Sequence, residues 1–220
     1  MSLPYLLWLK RDKYMNKSQS IYRVLSQRCL KKHCPELTGE VIDLAGGGKN
    51  NYFACLNLKN ALYRNTDMWQ KPGVDLVLDL TKPLPLESGS FNSALLFNCL
   101  YIFEKPVDVL REIHRILKKD GKFLLITPFV FNEAPEPNDF WRFTSQGLQE
   151  ILRKAGFEEI EIIAFGERFT VCLSILNKFL FLKFLRPFFY QTAMFLDKLV
   201  PKGIKKNHPL PLGYLAIAKR

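Results

Sequence analysis

Two hundred and twenty residues exceed a typical domain of roughly 150, which points to one domain with an elaboration. A hydrophobic share of 48% and an aromatic share of 13% supply a sizeable core and exclude a disordered chain. The net charge of +11 is unevenly placed: residues 1–40 carry +5, residues 41–164 carry −2 and residues 165–220 carry +8.

Basic flanks around a mildly acidic middle suggest an anionic partner, either nucleic acid or a membrane surface. The last segment also holds eight of the eighteen phenylalanines. Phe and Leu mixed with Lys read as a membrane-facing surface, the alternative being that these phenylalanines are core. No run of about eighteen uncharged apolar residues exists, so no spanning helix is expected. The apolar run Leu3 to Leu9 lacks the basic region and cleavage site of a secretory signal. Five scattered cysteines (Cys29, Cys34, Cys55, Cys99, Cys172) fit free thiols in a reducing cytoplasm.

In chain order, residues 18–33 predict a first helix, capped by Ser18 or Ser20, with Ile21, Val24, Leu25 and Cys29 on one face. Strands are predicted at Glu40–Leu44, Ala61–Thr66, Val74–Asp79, Phe91–Phe97 and Lys122–Thr127. Pro106–Lys119 reads as a helix with Val107, Leu110, Ile113 and Leu117 sharing a face, and Gly121 suits the turn out of it. A helix over Ser145–Ala155, with Thr144 as cap and Gly156 as stop, precedes a strand at Phe157–Ala164. Residues 169–200 then predict a helical hairpin, Thr170–Leu185 and Phe188–Val200, which Pro187 separates. Leu212–Ala218 closes the chain as a strand. This alternation predicts an α/β fold: a Rossmann-like, mostly parallel sheet with helices on both faces, ligands lying at the strands' carboxyl ends. Residues 1–37 are expected as a helical extension and 38–220 as the domain.

The chemistry-bearing motif is Val41-Ile42-Asp43-Leu44-Ala45-Gly46-Gly47-Gly48, a buried strand that runs into an acidic residue and a glycine-rich turn. Small residues let backbone approach a ligand, and the turn's N–H groups can face a carboxylate or phosphate. Asp67 ends the next strand, where a carboxylate accepts both hydroxyls of a ribose. Asp79 ends the third, where it can accept from an adenine amino group, and Asn98 ends the fourth.

With these segments in this order, the chain resembles the class I S-adenosylmethionine-dependent methyltransferases. More narrowly, it resembles a small bacterial branch with a Pro-x-Asp-x-x-Arg-Phe-Thr loop, here Pro137 to Thr144. The resemblance covers about residues 38–165. It implies a seven-stranded sheet with a reversed last strand and S-adenosyl-L-methionine across the first four strand ends. Asp43, Ala45, Gly46 and Gly47 would flank its methionine end. Asp67 would hold the ribose, Met68 would pack on adenine, Asp79 with the Leu80 backbone would read the adenine edge, and Asn98 would lie below the sulfonium. Ala45 and Lys49 replace family glycines, which makes the turn stiffer and brings in a cation. Ile102 replaces a histidine, a familiar proton acceptor, and Asn92 a usual aspartate.

No catalytic residue is assigned, because an in-line methyl transfer from a sulfonium needs mainly positioning and exclusion of water. Glu133, Asp139 and Arg142 are candidates for a substrate lid, with an Asp139–Arg142 pair that only fixes the loop as the alternative. Phe140 and Trp141 are expected in the core. His33 between Cys29 and Cys34 lacks a second ligand pair, so no metal is expected. The implied function is methyl transfer to a small or amphipathic acceptor (lipid- or glycan-linked) in the cytoplasm, peripheral to the inner membrane surface. An RNA methyltransferase or a non-catalytic binding module is the alternative, and a homodimer through the hairpin is a further expectation.

Overall fold

The computed structural model describes residues 19–48, 52–135, 137–179 and 183–220. Expectations placed on Ser18, Lys49, Leu180, Phe181 and Leu182 lie outside these residues. Seven strands form one sheet: β1 (Leu37–Leu44), β2 (Leu58–Asp67), β3 (Leu76–Val77), β4 (Phe91–Phe97), β5 (Leu117–Pro128), β6 (Glu158–Phe165) and β7 (Gly213–Lys219). Their order is β3-β2-β1-β4-β5-β7-β6, and β7 runs antiparallel to both neighbours. The expected mixed sheet with a reversed last strand is therefore present. Strand order turns back between β1 and β4, so the crevice for a ligand opens beside Leu44 and Phe97.

The six helices are α1 (Ile21–His33), α2 (Pro106–Ile116), α3 (Ser145–Lys154), α4 (Arg168–Leu176), α5 (Arg186–Leu199) and α6 (Lys202–Asn207). Buried side chains of the central strands point to both faces, as parallel strands sandwiched between helices require. On one face Leu110, Ile113, Leu148 and Leu152 of α2 and α3 pack on Ile42, Leu96, Phe123 and Leu125. On the other, Ile21, Val24 and Leu30 of α1, with Tyr190 of α5, pack on Val41, Leu95, Leu124 and Leu215. Ser20 caps α1, its hydroxyl accepting from the Arg23 amide at 3.3 Å, and Thr144 caps α3 through Gly147 at 3.1 Å.

Several boundaries differ from the expectations. Helix α2 stops at Ile116, because Leu117 already pairs with Phe91 at the start of β5. The chain then bulges through Asp120 at φ 61° before Lys122 pairs with Ser93. Strand β3 is two residues long and ends before Asp79. The first hairpin helix ends at Leu176 instead of Leu185. Pro187 lies in the first turn of α5, where its missing N–H costs nothing. The short helix α6 was not expected.

Candidate active site

The glycine-rich turn is locked to β2 rather than left open. Thr66 donates its hydroxyl to the Asp43 carbonyl at 3.1 Å, and the same hydroxyl accepts from the Ala45 amide at 3.3 Å. The Gly47 amide donates to the Thr66 carbonyl at 3.3 Å, and Asn65 exchanges two hydrogen bonds with Gly48, at 3.1 and 2.6 Å. The amides of Ala45, Gly47 and Gly48 are thus committed within the protein, which corrects the expectation that they face a ligand. Glycine is needed for space at Gly46, where a Cβ would stand 2.8 Å from Asn65 Nδ2 and 2.9 Å from Asp43 Oδ2. Gly47 adopts φ 69°, and a Cβ there would lie 3.2 Å from Asp67 Oδ2. Ala45 holds φ 62° although it carries a Cβ, a conformation that costs an ordinary residue about 1–2 kcal/mol.

The strand-end carboxylates have separate environments. Asp43 is fully buried and accepts from the Tyr63 hydroxyl at 2.5 Å. Asp67 closes β2 at the rim, accepting from the Trp69 amide at 2.9 Å and pairing with Lys71 at 3.2 Å. A carboxylate has about four lone-pair sites, so Asp67 retains capacity for ribose hydroxyls. Met68 beside it is half exposed and free to receive a flat ring. Asp79 accepts from the Thr81 hydroxyl at 2.6 Å and the Thr81 amide at 3.0 Å, and pairs with Lys82. The Thr81 bonds, with Lys82 adding to them, hold its carboxyl below the ordinary carboxylate range. Asp79 therefore lies two residues beyond the end of β3 rather than at it, and Leu80 beside it is buried.

Asn98 follows β4 at φ 55°, a left-handed conformation that Asn tolerates better than most residues. Its side chain is held at both ends: the Tyr22 hydroxyl donates to Oδ1 at 2.5 Å, and Nδ2 donates to the Tyr52 hydroxyl at 2.8 Å. Tyr52 in turn meets the buried Ser26 hydroxyl at 2.9 Å. Helix α1 thus closes the crevice beside β4 through Tyr22 and Ser26. Burial, helped by the neighbouring Tyr52, pushes the Tyr22 hydroxyl well above its usual range, so it stays protonated. Arg23 stacks over the Tyr52 ring, 4.9 Å from its centroid, and makes no ion pair or hydrogen bond through its guanidinium among the described residues. None of Tyr22, Arg23, Ser26 and Tyr52 stands out in the sequence. Their only signal is the polar break that Arg23 and Ser26 make in an otherwise apolar helix face.

The loop after β5 completes this side. Arg142 grips Asp139 with both terminal nitrogens and donates to the carbonyls of Trp141 at 2.9 Å and Asn132 at 3.0 Å. Its guanidinium also faces the Tyr101 ring at 5.4 Å. Both terminal nitrogens of Arg142 are therefore spent on the loop itself, so the loop-fixing alternative fits the pair better than ligand contact does. Arg142 holds the Asp139 carboxyl below its ordinary range. Phe140 and Trp141 are not core residues as expected: both are nearly half exposed, and Trp141 donates to the Phe103 carbonyl at 2.9 Å. Among the described residues no group of three or more His, Cys, Asp or Glu gathers as a metal site.

Residues 42–125 match the family model described as a methyltransferase domain. An uncharacterized protein of Methanocaldococcus jannaschii is 23% identical over 164 residues, covering 68% of this chain and 78% of that protein. Among solved structures, an S-adenosylmethionine-dependent methyltransferase of Thermotoga maritima superposes with TM-score 0.58 at 16% identity, covering 90% of this chain and 91% of that one. A chain of the complex between the Haloferax volcanii Trm112 methyltransferase activator and a methyltransferase gives 0.58 at 18%, covering 87% of each. Phosphoethanolamine N-methyltransferase 2 of Haemonchus contortus, in complex with S-adenosyl-L-methionine, gives 0.57 at 15%, covering 100% of this chain and 60% of that one. At these identities the structural likeness is one of fold. The match over residues 42–125 is to a methyltransferase domain, and the sheet has the fold of S-adenosylmethionine-dependent methyltransferases.

Proposed function

We propose that this class I methyltransferase methylates a small or amphipathic acceptor that carries an anionic group, with S-adenosyl-L-methionine as its cofactor. The single observation that carries this reading is Asn98, just beyond β4, held by Tyr22 and Tyr52 with Arg23 stacked over the Tyr52 ring. Asp67 receives the ribose hydroxyls, Met68 covers the adenine, and Asp79 with the Leu80 backbone takes the adenine edge. Asp79 does so by giving up its local bond to Lys82. Asp43, Ala45, Gly46 and Gly47 shape the wall at the methionine end, through side-chain bulk and backbone approach rather than through turn amides.

The cofactor's sulfonium is an electrophile strong enough that transfer breaks its S–CH₃ bond without a metal or a covalent enzyme intermediate. What the chain contributes is orientation and dryness. Asn98, fixed by two tyrosines, holds the floor of the crevice at the transferring methyl group. The Tyr22 and Tyr52 hydroxyls line the acceptor's approach. Arg23, without an ion pair, meets the acceptor's anionic group from the rim. A small-molecule acceptor with a phosphate or carboxylate suits Arg23, whose guanidinium has no ion pair among the described residues.

Incubating purified protein with methyl-labelled S-adenosyl-L-methionine and cell extract tests the proposal. Label is expected in anionic small-molecule or lipid fractions, and Arg23→Gln should raise KM for that acceptor about tenfold with cofactor affinity unchanged. Label confined to RNA would replace this acceptor class with the nucleic-acid alternative. Cofactor binding with no labelled product in any fraction would leave a binding module.

A further inference from the structure

Among the described residues from Arg168 to Asn207, every exposed ionic side chain is a cation. Beyond residue 164 the sequence holds two acids, Glu167 and Asp197, and both are turned inward. Asp197 accepts from the Phe169 amide at 2.8 Å and from the Thr170 hydroxyl at 2.6 Å, fastening α5 to the start of α4. Glu167 caps α4 and pairs with Arg168 at 2.6 Å. Lys198, Lys202 and Lys206 are exposed and make no ion pair among the described residues.

Large apolar side chains stand among these cations. Phe179, Phe184, Phe188, Phe195 and Leu199 are between about half and 69% exposed. One or two such residues are ordinary on a surface; five between Asn177 and Leu199 are not. A groove of about 810 Å³ between α1 and α5 is lined by Leu25, Met194, Phe195 and Leu210 with Arg28 and Lys205, and the two inward acids Glu167 and Asp197 reach its wall. No helix of the described residues is long and apolar enough to cross a membrane. Exposed phenylalanines, exposed charges that are all cations and short helices are together what an interfacial membrane anchor requires.

We propose that the α4–α6 surface docks on an anionic lipid bilayer, with Phe184, Phe188 and Leu199 entering the interface and Lys198, Lys202 and Lys206 meeting lipid phosphates. Charge decides between this occupant and a second copy of the chain, since two such surfaces would oppose like charges with no acid to offset them. The placement suits the crevice. The Tyr190 hydroxyl of α5 donates to the Gln19 carbonyl at 3.0 Å, three residues from Tyr22, so the docked surface adjoins the helix that closes the acceptor side.

Co-sedimentation with equimolar phosphatidylcholine–phosphatidylglycerol vesicles, compared with phosphatidylcholine alone, tests the docking independently of turnover. Binding is expected to anionic vesicles only, and to weaken as salt is raised. Joint replacement Lys198→Glu, Lys202→Glu and Lys206→Glu should lower partitioning by about a hundredfold. Joint replacement Phe184→Ser and Phe188→Ser should lower it by about tenfold. Both variants should keep the melting temperature and cofactor affinity of the parent, which separates lost docking from lost folding. No binding to anionic vesicles at low salt, or binding that survives both variants, would overturn the proposal. A stable dimer in solution that Phe184→Ser and Phe188→Ser dissociate would overturn it too, giving the surface to a second copy.

Discussion

The two ends of this molecule use carboxylates in opposite ways. At the β1–β3 strand ends, Asp67 and Asp79 stand at the rim, each held by backbone and a lysine yet with lone pairs to offer. In the α4–α5 hairpin, Glu167 and Asp197 are turned inward and spent on helix amides and hydroxyls. A rim carboxylate is suited to donors that arrive with a ligand, whereas an internal one joins two elements and leaves only cations outside. The lesson is that charge count along the sequence says little until each acid is known to face in or out.

If that contrast holds, removing an acid should damage folding at one end and binding at the other. The largest stability effect is expected at Asp197. Asp197→Ala strands the Phe169 and Thr170 donors in a buried site and should cost about 3 kcal/mol, read by chemical denaturation. Asp67→Ala should leave stability within about 0.5 kcal/mol, because its local partners are exposed.

Acid sharpens the same comparison. Asp79, Glu112 and Asp139 all have carboxyl pKa values held below the ordinary range, by Thr81, Arg115 and Arg142 respectively. Their folded values lie below the unfolded ones, so their stabilisation is complete above about pH 4–5 and is lost as pH falls through the folded values. Melting temperature should therefore be flat near neutrality and fall on acidification below that point. A decline starting above pH 6 would show that other groups govern acid stability.

A modest effect lies in the turn. Ala45→Gly relieves a left-handed Cβ and should stabilise by about 1 kcal/mol, while Gly47→Ala should destabilise by a similar amount. Equal and opposite shifts in the denaturation midpoint check this.

The sheet was legible in the sequence because its signals are local. Continuous apolar runs gave β1, β4 and β5, and Gly46 and Gly47 marked the turn that follows β1. The short β3 was over-read, since Val74 and Leu78 are apolar for packing while only Leu76 and Val77 pair with β2. The closing network was not legible. Tyr22, Tyr52 and Asn98 are 76 and 46 residues apart in their two bonds, and no spacing rule links them. The hairpin's helical character was legible, but its break at Leu176 was not, because Asn177 is used as a partner for Tyr190 rather than as a turn signal.

The central claim is that the strand-end carboxylates hold S-adenosyl-L-methionine, and calorimetric titration of the cofactor into the parent protein and Asp67→Ala tests it most directly. The account predicts one site per chain in the parent and at least about a tenfold loss of affinity in the variant, since two charge-assisted hydrogen bonds go with the carboxylate. Equal affinity in both proteins, or no binding by the folded parent, would contradict it.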